Sequence, residues 1–231
     1  MAMNLKQVQS LTSLARLNQL LLLDAPPALF SPAYDYVRKM IQGGEMGQVL
    51  HMEVSALRRN TNGDITNGDC LLLEQGSALL HIAQFVFDDE PQNVKVTAVG
   101  KLCQEHDNAA ITVILKYTRG RSIVLHMHNK VNMDINVTIY GTKKYVTMNR
   151  TWWVPNEIVT YDVDKDESNV KSLPLPVPRA DYVYLLKEVV KCIANEVYES
   201  PLTTHKDMEN CASLLDEIRK QIGVKFAEDE D

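Results

Sequence analysis

Between Val94 and Asp164 the chain alternates apolar and polar residues in six short runs: VKVTAVGK, AAITVILKYT, RSIVLHMHNK, INVTIYG, KYVTMN and EIVTYDVD. Period-two alternation sends every second side chain to the same face, a pattern suited to a half-buried strand. TRGR and GTKK, between runs, are turn sequences. The pattern predicts an antiparallel, meandering sheet. It also sets a requirement, because the apolar face of such a sheet needs a cover.

Helices at both ends can supply that cover. Residues 4–23 carry Leu5, Val8, Leu11, Leu14, Leu17 and Leu21 near helical spacing and stop at Pro26-Pro27. Ser31-Pro32 is an N-cap followed by proline at the first helical position, and Gly43-Gly44 ends the helix it opens. VLHMEVSAL then reads as a further strand. RRNTNGDITNGDC repeats TNGD and reads as a loop, and QGSALLHIAQFVF, residues 75–87, as a helix. DKDESN reads as a polar hairpin or loop, and LPLPVPR as an extended connector. DYVYLLKEVVKCIANEVYES and THKDMENCASLLDEIRKQIG close the chain as helices, with Gly223 as the final stop. The fold class expected is α+β: an open, mainly antiparallel sheet covered on one face by helices. Residues 1–30 form an N-terminal helix and linker, 31–225 the domain, and 226–231 an acidic tail.

A net charge of −6 gives no general attraction to nucleic acid or anionic membrane. The apolar stretch LNQLLLLDAPPALF is broken by Asp24 and a proline pair, too early to span a bilayer. No signal-peptide pattern precedes it. Cys70, Cys103, Cys192 and Cys211 lack CxxC spacing, so free thiols in a reducing cytoplasm or nucleus are expected.

Motifs that would carry chemistry are sparse. GxGxxG after a strand and GxxxxGK[ST] are both absent, as is GxSxG. His126 and His128 share one strand face but lack further ligands for a metal, so they read as polar residues of that face. NGDITNGD lacks the oxygen ligands of a calcium loop. Trp152 and Trp153 are candidates for a ligand face, or one packed and one exposed ring. On a helix His81 aligns with Ser77 and Gln84, which makes a polar stripe on the wetter seam of the helix. A base needs a partner that orients it, and nothing local to His81 supplies one.

The order of segments resembles a known family. SPAYDYVRKMIQGGEMGQVLHMEVS is similar to the helix, turn and first sheet strand that follow the cofactor domain in the Gfo/Idh/MocA oxidoreductases. EQGSALLHIAQFVF resembles their GGALLDIG helix. YGTKKYVTMNRTWWVPNEIV, SLPLPVPR and ESPLTTHKDMENCASLLDEIRKQIGVKF extend the resemblance over roughly residues 5–228. It implies a C-terminal α/β domain that supplies the substrate face and dimerises through its sheet, beside a Rossmann domain that binds NADP and carries an EKP motif. Neither GxGxxG nor EKP occurs here. His81 occupies the family's Asp position, and HIAQFVF is too short after it to bring the family's tyrosine proton donor.

These departures lead to the expectation of a catalytically inactive, oxidoreductase-derived interaction module with no assigned catalytic, cofactor or metal residue. Its sheet face would pair with a second copy, and Leu14 and Leu21 would meet another protein. The alternatives are an NADP-dependent oxidoreductase that lacks or borrows its Rossmann domain, and a sugar- or diol-binding protein whose face includes His81, Trp152 and Trp153.

Overall fold

A computed structural model describes residues 2–24, 26–57, 71–87, 90–103, 107–128, 131, 134–149, 155, 157–165, 168–172, 180–226 and 229. The period-two runs become strands β2 (Lys95–Cys103), β3 (Asp107–Lys116), β4 (Ser122–His128), β5 (Asn136–Gly141), β6 (Lys144–Asn149) and β7 (Glu157–Asp162). VLHMEVSAL is β1 (Val49–Leu57), and an additional strand, β8 (Ser168–Ser172), starts within residues read as loop. The sheet order is β2-β3-β4-β1-β5-β6-β7-β8. The expected meander is therefore split: β1 enters between β4 and β5, parallel to the first and antiparallel to the second. As a central strand β1 is paired along both edges, and its apolar face, Met52, Val54 and Ala56, is buried in the core shared with the helices.

Register explains the core. Ala98, Val113, Leu125, Val54, Val137 and Met148 are paired in turn across six strands, and every one is buried. The opposite face carries His51, Tyr140, Tyr145 and Tyr161, which are also paired in turn. Their rings stack at centroid separations of 5.7, 5.6 and 4.4 Å. One face is thus aliphatic and covered, the other aromatic and polar.

Helices α2 (Pro32–Gln42), α3 (Ser77–Val86) and α5 (His205–Ile222) cover the aliphatic face and share one core with it. Ser31 caps α2 with its side chain, and Gly223 ends α5 at a φ of 76°, both as expected. The first helix is shorter than its leucine spacing suggests: α1 is Leu5–Leu17. Gln19, with a φ of 54°, turns the chain out of the helix. α1 rests on α5 through Val8, Thr12 and Ala15, and Thr12 donates to Glu209 at 2.7 Å. α4 (Ala180–Ala194) buries Glu188 and Cys192 and leaves Tyr182, Leu186, Val190 and Ile193 exposed. Among the described residues no helix is long and apolar enough to cross a membrane.

Candidate active-site cleft

α3 decides the chemistry because it is buried almost all round. A single π-turn, Leu72–Gly76, leads into it, and Leu79, Leu80, Ile82 and Ala83 are packed on several sides. The polar stripe expected on a wet seam is therefore enclosed: Ser77, His81 and Gln84 are 7%, 2% and 6% exposed. The sequence pattern fixed the stripe but not its surroundings, since α5 and the segment after α1 close over it. A polar side chain placed there must find protein partners.

His81 finds Asp24. Its Nε2 lies 3.1 Å from Asp24 Oδ2, and Ser77 Oγ donates to the same carboxylate oxygen at 3.3 Å. Asp24 belongs to an extended segment held on both sides: Leu22 N–H donates to the Tyr198 carbonyl, and His205 Nε2 donates to the Leu22 carbonyl, each at 3.1 Å. The orienting partner missing from the local sequence is thus 57 residues away. Buried Cys211, on α5, approaches the imidazole as well. Burial opposes a charged ring here, but the Cys211 sulfur and the Asp24 carboxylate outweigh it and raise the His81 pKa to about 10. For Asp24, burial works against ionisation; the hydrogen bond and charge of His81 prevail and lower its pKa. The pair is an imidazolium–carboxylate couple through the neutral pH range.

His81 reaches the lining of a cleft of about 630 Å³ between α2, α3 and the loop leading into α5, with Asp24 behind it. Arg38, Gln84, Phe85, Thr204 and Lys206 line it with His81. Arg38 lies over the Phe85 ring, 4.9 Å from its centroid. The helix continues past His81 to Val86, and it carries no tyrosine there. The residue four positions on is Phe85, and a phenyl ring has no proton to donate.

Other candidates fall elsewhere. Leu14 is 56% exposed on α1, and Leu21 is half-buried in the segment beyond it, so neither approaches the cleft lining. Trp152, Trp153 and the TNGD repeats lie outside the described residues. His126 and His128 share the outer sheet face, and Thr112 bonds His126 Nδ1 at 3.2 Å. No group of three or more His, Cys, Asp or Glu positioned for a metal occurs among the described residues. Arg38, Asp24 and Cys211 were missed. A lone acid inside LLLLDAPP was the available signal for Asp24, because a charge buried in an apolar segment requires a partner; Cys211 gave none.

The dinucleotide implied by the resemblance has no seat among the described residues. Gly44, Gly47, Gly120 and Gly223 have positive φ but lie in turns or a helix cap rather than at a strand-to-helix junction. Gly76, just before α3, is packed into the core: a Cβ there would meet Leu72 and Leu215. Among the described glycines none forms an open backbone cradle for a pyrophosphate.

Residues 34–147 match the family model described as the GFO/IDH/MocA C-terminal domain. Similar curated proteins include the trans-1,2-dihydrobenzene-1,2-diol dehydrogenases of Xenopus tropicalis, 26% identical, and Bos taurus, 27% identical. The alignments take in 98% and 99% of this chain and 70% of each relative. Among solved structures, a 3-ketoreductase from Actinomadura kijaniata, KijD10, in complex with NADP and TDP-benzene, superposes with a TM-score of 0.77 at 20% identity, over 95% of this chain and 68% of that one. An aldose-aldose oxidoreductase from Caulobacter crescentus, complexed with glycerol, gives 0.80 at 15% identity, over 98% and 70%. At these identities the structural likeness speaks for the fold.

Proposed function

This chain belongs to the Gfo/Idh/MocA oxidoreductases through its C-terminal-type domain, and on that premise we propose that it provides the substrate side of an NADP-dependent, dihydrodiol-dehydrogenase-type oxidoreductase. The observation that carries the reading is the buried His81, held by Asp24 at 3.1 Å and lining a cleft, with its pKa raised by its surroundings. A low-dielectric site with a preoriented positive charge stabilises negative charge developing on a nearby substrate oxygen. The His81 Nε2 proton is engaged by Asp24, so the part assigned to His81 is electrostatic rather than that of a free acid. The described residues bind and orient the substrate, and the dinucleotide is held by a Rossmann domain outside this sequence.

Titration of the purified chain with trans-1,2-cyclohexanediol, followed through the His81 ring resonances, tests this. A saturable shift of those resonances is expected. Unmoved resonances up to the solubility limit of the diol would overturn the reading. Calorimetry with NADPH is expected to show no heat, and micromolar binding would refute the assigned division of labour.

A second reading, an interaction module without catalysis, is favoured by the apolar stripe of α4, where Leu186, Val190 and Ile193 are each about 60% exposed, and by Leu14 on α1. Light scattering and pull-down of a Leu14→Asp/Leu186→Asp variant distinguish it: a lost heterotypic contact with the fold intact supports it. Homodimer formation through the aromatic sheet face is compatible with both readings.

A further inference from the structure

The charges around the cleft are unevenly partnered. His81 is coupled to Asp24, and Lys206 is paired with Glu90 at 3.0 Å. Asp207 gives one carboxylate oxygen to both the backbone N–H and the hydroxyl of Thr204, each at 2.8 Å. Arg38 is different. Its guanidinium has five N–H donors, but its contacts are long: 3.5 Å to the Leu29 carbonyl and 3.8 Å to Asp35. Asp35 commits its other oxygen to Lys39 at 2.7 Å.

Arg38 is nevertheless largely out of water, with 18% of its side chain exposed. Its guanidinium carbon lies over the Phe85 ring, 4.9 Å from the centroid, a cation–π contact that holds the group at the cleft without using its N–H donors in a hydrogen bond. Burial disfavours the charge, Asp35 and Glu188 support it from a distance, and the balance lies below the ordinary arginine value. A dehydrated, weakly paired guanidinium gains strongly from an anion placed in its plane.

We propose that Arg38 anchors a carboxylate of the substrate, so that the cleft selects small hydroxy or oxo acids over neutral diols. This rests on the reading of the cleft as a substrate site. One rigid fork matches one planar carboxylate. The other cations of the lining are already paired, His81 with Asp24 and Lys206 with Glu90, which leaves Arg38 as a single fork. His81 would then stand beside the oxygen-bearing carbon while Arg38 holds the acid end, which divides reaction and recognition between α3 and α2.

The test is calorimetric and uses the full chain with cyclohexanecarboxylate, its neutral isostere cyclohexanecarboxamide, methyl phosphate and trans-1,2-cyclohexanediol. Cyclohexanecarboxylate is expected to bind roughly tenfold or more tightly than the carboxamide. Arg38→Gln should erase that preference, and Arg38→Lys should keep only part of it, because an ammonium lacks the fork. Thermal melts establish that each variant is folded; if Arg38→Gln is not, the loss in Arg38→Lys decides. Equal binding of acid and amide, or a preference that survives both substitutions, overturns the proposal, as does tighter binding of methyl phosphate than of the carboxylate. Diol binding without any acid preference overturns it while leaving the oxidoreductase reading intact. Arg38-dependent acid binding without diol binding supports it and counts against the dihydrodiol reading.

Discussion

Replacing Asp24 by Asn keeps the size and shape of the side chain and removes its charge. Folding raises the His81 pKa from 6.5 to about 10. A group raised on folding stabilises the native state fully below its unfolded value and loses that contribution as pH rises through the folded one. At about 1.4 kcal/mol per unit, the bound proton contributes on the order of 4 kcal/mol near neutrality. Part of the rise comes from Cys211, and the imidazole of the variant can discharge. The expected cost of Asp24→Asn is therefore about 3 kcal/mol, the lower end for breaking a buried pair. The assay is urea unfolding of both proteins at about pH 7, 8.5 and 10. The wild-type advantage should shrink to under about 1 kcal/mol at the alkaline end, because His81 is losing its proton there. On the acid side Asp24, with its lowered pKa, should lose its contribution as pH falls below 3.8 through its folded value. A difference that is constant from pH 7 to 10, or below about 1 kcal/mol at neutrality, would refute the assignment of a charged couple.

Three other outcomes are expected. Cys211→Ala should lower the His81 pKa, visible in an NMR titration of its ring, at a stability cost of about 1–2 kcal/mol for a small buried truncation. Gly141→Ala should lower the melting temperature by several degrees, since a Cβ there would run into the Met46 carbonyl and crowd that of Lys144. The homodimer proposed through the sheet face predicts that Tyr145→Ala, which removes a central ring of the His51–Tyr140–Tyr145–Tyr161 stack, shifts the light-scattering mass towards monomer while unfolding remains cooperative; a mass that is the same for both proteins refutes that face as the interface.

How far the sequence reached can be seen in β3 and α3. In AAITVILKYT the alternation set both the strand and its buried face, because period-two geometry leaves Ile111, Val113 and Leu115 no other side to share. Ser31, Pro32 and Gly223 marked helix ends for equally local reasons, a side-chain cap and a left-handed turn. Such features are written within a few residues of where they act. The insertion of β1 between β4 and β5 is not, since strand order depends on which partners cover both faces and both edges at once.

The same division runs through the cleft. Residue spacing aligned Ser77, His81 and Gln84 on one stripe of a helix, but a stripe is wet or dry only by virtue of what lies over it. Tertiary packing brought Asp24 from 57 positions upstream and Cys211 from α5 onto His81, and so turned a polar residue into a buried cation. It also laid Arg38 of α2 on Phe85 of α3. The sequence determined the elements and their faces, because those follow from local backbone geometry. The charge state of His81 and the composition of the cleft were decided by the fold, because electrostatics and desolvation depend on distance in space and not on distance along the chain.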